Sequence, residues 1–181
     1  MSCDRGYIAT VVAEVESWEW ALLMYRLPRE PSTPRSAVWR RLRSLGVAQL
    51  ADGLVALPAD ARTREQLEWV ADEVRAANGT ASTWLARPTS LAQQRALAAA
   101  MAEARAAEYR AVRAQAEHVA TGEPSDTERS RALRRLRGEL RRIRRRDFFP
   151  QAERDAAVAA VEQLACYEAG RQGAQPVEAP R

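Results

Sequence analysis

Cysteine is scarce in this chain: Cys3 and Cys166 are the only two, far apart and without a CxxC spacing. They give no disulfide framework and no zinc knuckle, so a reducing, cytoplasmic setting is expected. No run approaches the 18 consecutive apolar residues of a membrane span, and no membrane partner is expected. The first residues lack a basic region leading into a long apolar stretch. Tyr7 to Val12 is followed by Glu14, Glu16 and Glu19, so residues 1–17 read as a frayed leader or an extra helix turn, not an export signal. Histidine occurs once, at His118, which excludes a His-based triad or a multi-histidine metal site within one chain. GxSxG, Walker A and GxGxxG motifs are all missing. Acidic side chains sit three or four residues from arginines on helical segments, as Glu139 does from Arg135 and Arg142, the spacing of ordinary helix-surface pairs. Neither catalysis nor a cofactor is expected.

Aromatics make up 6% of the chain and lysine is absent, all 28 basic residues being arginine. With about one residue in five alanine, this is a helix-leaning composition in which coding bias accounts for part of the arginine. At 181 residues, 46% of them hydrophobic, the chain suffices for one or two compact domains with a real core. Its net charge of +4 is unevenly spread. Residues 1–90 balance eleven arginines with eleven acids, whereas Arg129 to Arg146 holds ten arginines and one acid, Glu139. That segment is therefore +9 and the rest of the chain −5. Such a block fits an anionic partner, nucleic acid above all; a solvated helix face is the bland alternative.

Trp20 to Leu27 is a near-continuous apolar run ended by Pro28, suited to a buried central strand. Thr33 as N-cap with Pro34 in the first helical position starts a helix carrying Val38, Leu42 and Leu45, which stops at Gly46. Val47 to Leu50 and Leu54 to Leu57 form a hairpin around Asp52-Gly53. Thr63 and Gln66 have capping-box spacing for a second helix with Leu67, Val70 and Val74 inward, ended by Asn78-Gly79. Thr80 to Arg87 is the last strand. The order strand, helix, strand, strand, helix, strand predicts an α+β, ferredoxin-like βαββαβ domain over 18–89; a winged helix competes, because an Asp-Gly hairpin after a helix also makes a wing.

Beyond Pro88 an α-helical C-terminal region is predicted over 90–170. Ser90 and Gln93 cap a helix of about 30 residues, with Leu97, Met101, Ala104, Val112 and Val119 on its apolar face. Gly122 and Pro124 break it. Ser125 and Glu128 then cap a basic helix over 126–146, in which Leu133, Leu136, Leu140 and Ile143 recur at spacings of three and four. Asp147-Phe-Phe-Pro150 marks a junction, and a third helix follows to about Ala169 with Val158, Val161 and Leu164 inward. Residues 171–181 read as a disordered tail.

Two sites follow. The candidate nucleic-acid surface comprises Arg134, Arg135, Arg137, Arg141, Arg142, Arg144, Arg145 and Arg146 on the basic helix, with Arg40, Arg41 and Arg43 on the first helix. Arg26, Arg29, Ser32, Thr33 and Arg35, clustered at the first helix's N-terminus, are a candidate site for phosphate, chromate or another oxyanion, since free amides and guanidinium forks favour anions. The simpler reading is a capped helix entry with solvated arginines. Trp39 and Trp69 sit where rings could stack on bases, although core packing is the commoner use of such residues in an alanine-rich protein.

The stretch LLMYRLPREPSTPRSAVWRRLRSLG, Leu22 to Gly46, resembles the N-terminal domain of the ChrB chromate-resistance proteins. Trp84-Leu-Ala-Arg87 and the Arg-Asp-Phe-Phe-Pro segment at 146–150 look like further parts of that pattern, which spans roughly 18–168. The resemblance implies a chromate-responsive transcriptional regulator controlling a chromate exporter. Full-length members carry a further C-terminal domain of comparable size, so sensing that depends on it would lie outside the resembling residues. The N-terminal pattern is also similar to the CRISPR-nuclease-like domain of phenylacetate-type repressors. Metal-dependent nucleases of that kind place an acid at the end of the first strand, where this chain has Tyr25-Arg26-Leu27, which argues against nuclease activity. The reading reached is a cytoplasmic DNA-binding regulator acting as a homodimer; its rival is a non-catalytic module whose C-terminal helices dock on another protein.

Overall fold

The computed structural model describes residues 19–122 and 124–172, with side chains placed up to Cys166. The expected leader over 1–17 lies outside the described residues; of the expected tail over 171–181, Arg171 and Gln172 continue the last helix and the rest lies outside the described residues.

The chain is α+β. Strands β1 (Trp20–Arg26), β2 (Ala48–Ala51), β3 (Leu54–Pro58) and β4 (Thr80–Ala86) form one sheet in the order β2-β3-β1-β4, every neighbouring pair antiparallel. The apolar run at Trp20 takes the central place expected of it, between β3 and β4, although Met24 and Arg26 near its end are exposed. Trp20 and Leu23 are fully buried. At the tip of the β2–β3 hairpin Gly53 has φ +73°, and a side chain there would press on the Tyr25 carbonyl, so the turn needs glycine.

Helix α1 (Ser32–Leu45) follows β1, and α2 (Ala61–Ala76) follows β3. Both helices begin earlier than their capping motifs predict. The N-cap of α1 is Pro31, without a side-chain cap, and Thr33 lies inside the first turn. Pro34 is tolerated there because first-turn amides have no intrahelical acceptor to lose. In α2 the N-cap is Asp60, and Thr63 is the third helical residue of a complete box: its amide donates to Asp60 Oδ1 at 2.6 Å and its hydroxyl accepts from the Asp60 amide at 2.9 Å. Asp60 outcompetes Thr63 as the cap because a carboxylate is the stronger acceptor at the positive helix end.

Helices α3 (Leu91–Thr121), α4 (Asp126–Arg144) and α5 (Ala152–Gln172) complete the chain. The chain divides into two compact units, one ending at Met101 and the other beginning at Ala102, so α3 contributes residues to each. In the second unit Tyr109, Val112 and Ala116 of α3, Leu133, Leu136, Leu140 and Ile143 of α4, and Ala157, Val161 and Leu164 of α5 make one core. The leucine stripe of α4 is buried as its spacing predicts. On α3, by contrast, the expected Ala104 is exposed, and the buried face runs through Ala98, Ala102 and Ala106 to Tyr109. Small side chains supply most of that face, so the larger residues do not mark its register. Phe149 is buried at the α4–α5 junction and Phe148 half-buried.

Candidate functional site

The geometry of α4 starts at its cap. The Glu128 amide donates to the Ser125 hydroxyl at 3.3 Å, and the Ser125 amide donates to Glu128 Oε2 at 2.9 Å. The Ser125 hydroxyl also donates to that oxygen, and the two bonds hold the Glu128 carboxyl below its ordinary range. Below this cap Arg129 is buried, one turn before Leu133 on the inward stripe. One of the ten arginines of the basic block thus belongs to the core. The signal is present in the sequence: position 129 is four before Leu133 and seven before Leu136.

The stripe Leu133, Leu136, Leu140, Ile143 takes one side of α4, which leaves Arg131, Arg134, Arg135, Arg137, Arg141, Arg142, Arg144 and Arg145 exposed. Arg135 donates to Gln115 Oε1 at 3.0 Å. Among the described residues Arg134, Arg137, Arg141, Arg142 and Arg144 have no carboxylate partner, and Glu139 pairs with neither Arg135 nor Arg142 as its spacing predicts. In that face Gly138 costs roughly 1 kcal/mol of helix stability relative to alanine. Arg146 is placed differently. It pairs with Glu108, which also holds Arg105 at 2.9 Å, in a half-buried cluster at the end of the helix. Burial lowers the pKa of Arg105, opposed by the Glu108 charge.

The arginines of the first unit are a separate matter. Arg40, Arg41 and Arg43 are exposed on α1; Arg40 donates to the Ser36 carbonyl, and Arg41 lies 4.0 Å from Glu73. Arg26, Arg29 and Arg35 line one cleft of about 930 Å³ together with Tyr25, Trp39 and Asp52. Arg35 is held there by a 2.7 Å bond to the Pro28 carbonyl. Burial, then the charge of Asp52, raises the Tyr25 pKa. Ser32 and Thr33 are exposed in the first turn of α1 and do not line the cleft. Trp39 and Trp69, read as core residues, are exposed instead, as is Trp84, because no described residue covers those faces.

Sheet, helices and arginine face together define an α+β protein with an arginine-rich helical region, in which no described helix is long and apolar enough to cross a membrane. A profile described as "Protein ChrB, N-terminal" matches residues 35–174, and the chain belongs to that family. Comparison with curated proteins and with solved structures gives no match.

Proposed function

We propose that this chain is a non-catalytic, cytoplasmic transcriptional regulator linked to chromate resistance, which binds DNA through the outer face of α4. The carrying observation is that face: exposed arginines, five of them without a carboxylate partner among the described residues, on a helix anchored from behind by leucines. Guanidinium forks match phosphate oxygens in pairs, and such contacts supply affinity and position while carrying no base code. Family membership supports the link to chromate. We also read the sheet unit as ferredoxin-like, since β3 lies between β1 and β2 and each βαβ crossover passes over one intervening strand. The homodimer belongs to the same reading.

Replacing Arg141, Arg142, Arg144 and Arg145 together by Gln leaves the leucine stripe untouched and should preserve the fold. Affinity for duplex DNA should fall, and the slope of log K against log salt should flatten by about 0.9 for each phosphate no longer neutralised. Unchanged binding in the quadruple variant removes the assignment, and failure of the unsubstituted protein to be retained on heparin favours a protein-docking module.

In the first unit, the cleft of Arg26, Arg29 and Arg35 is the place for chromate or another oxyanion. Saturable binding at millimolar ligand and constant ionic strength should raise the melting temperature by mass action. Arg29→Ala should abolish that rise, and a flat calorimetric titration would refute the oxyanion site.

A further inference from the structure

Gly138 lies inside a 19-residue helix, where glycine is the least favourable residue after proline. Nothing among the described residues requires it. Its φ is not in the left-handed region, and a Cβ built there would meet only the end of the Arg141 side chain, at 3.8 Å, which is ordinary contact. Its four neighbours on the helix surface, at three and four residues either way, are Arg134, Arg135, Arg141 and Arg142. All four are exposed, and none pairs with a carboxylate among the described residues. The outer face of α4 thus has a half-buried stretch of backbone without a side chain, ringed by four guanidinium groups, the two pairs about 10 Å apart along the axis. Like charges at these spacings also disfavour the helix. Two local costs at one place, unexplained by the protein's own packing, are the mark of a surface shaped for something else.

We infer that Gly138 is the seat over which the sugar-phosphate backbone of a nucleic acid strand crosses α4, gripped by Arg134 and Arg135 on one side and by Arg141 and Arg142 on the other. This rests on the reading of α4 as a nucleic-acid face and adds where and how closely the strand approaches. An acidic protein segment carries its charges on side-chain stems that reach a guanidinium from a distance, so it has no need of a bare helix backbone. A phosphodiester carries its charge in the chain itself and must come against the helix for four guanidiniums to share it.

The test compares the full chain with Gly138→Ala and Gly138→Met, reading thermal melting and binding to a fluorescein-labelled 20-base-pair duplex from 50 to 300 mM salt. Alanine should raise the melting temperature by about 2–4 °C and weaken DNA binding several-fold. Methionine, also a good helix former, should weaken it at least tenfold and flatten the salt slope by about 0.9, the value of one phosphate. Gains in stability with losses in affinity are the result a structural glycine would not give. If the unsubstituted protein binds and the methionine variant binds equally well with the same slope, the seat is refuted while the arginine face stands; a fall in melting temperature with either substitution also refutes it. If the unsubstituted protein shows no salt-dependent binding, the reading of α4 falls and the seat with it.

Discussion

Tyr109 is fully buried in the helical core, and its hydroxyl donates to Asp147 Oδ2 at 2.9 Å. Burial, then this bond, raises the phenol's pKa far above its ordinary value. The other oxygen, Oδ1, is buried without a hydrogen-bond partner among the described residues, so Tyr109 is the aspartate's main satisfaction. Tyr109→Phe keeps the ring's packing and removes the donor. It should cost about 1–3 kcal/mol, the penalty of stranding a buried acceptor, visible as a lower urea midpoint at unchanged m-value. Neither this contact nor the burial of Arg129 is read directly from the sequence, for different reasons. Arg129 stands in register with the leucine stripe and is recoverable by counting back from Leu133. The partner of Tyr109 is 38 residues away, and no local spacing encodes a contact across a helical hairpin. Trp39 and Trp69 lie outside the core expected of them because exposure depends on which neighbour covers a face, not on the residue's own hydrophobicity.

At the scale of the element, the start of α4 depends on one reciprocal cap. Because Ser125 holds the Glu128 carboxyl below its ordinary value of 4.5, the cap's contribution is fully present above that pH and is lost as pH falls through the lower folded-state value. Glu128→Gln should therefore lower stability modestly at neutral pH and remove part of the loss of stability that the unsubstituted protein shows as pH falls below about 4.5, as read from midpoints at each pH. Ser125→Ala should cost about 1 kcal/mol at neutral pH. This box is legible because Ser and Glu stand three apart immediately before an apolar periodicity. In α1 and α2 competing caps two and three residues upstream of the marked threonines move the helix starts. Motif spacing locates a helix entry to within a turn, and acceptor strength and backbone conformation choose the residue.

For the whole molecule, the two compact units carry different reporters. The described tryptophans Trp20, Trp39, Trp69 and Trp84 all precede the boundary at Met101, while α4 and α5 lie entirely beyond it. Leu57 and Leu136 are both fully buried, one in each unit. Either truncation to Ala should cost about 2–5 kcal/mol. Leu136→Ala is expected to lower the midpoint of ellipticity at 222 nm and leave the tryptophan-fluorescence midpoint in place; Leu57→Ala is expected to lower the fluorescence midpoint. Coincident shifts of both signals in both variants would mean a single cooperative unit. The composition changes at Pro88, but the units divide at Met101, since a shift to alanine and arginine marks where helix begins and not which residues pack together.

The positive charge on the face of α4 comes wholly from guanidinium groups, in a chain without lysine. An arginine keeps its proton at any pH a cell reaches, and enzymes that silence charge by acylating amines find no side chain to act on. Under the proposed reading of α4, a grip made this way is one that neither acidity nor acetyl transfer loosens. It yields to competing ions and to whatever reshapes the helix that carries it.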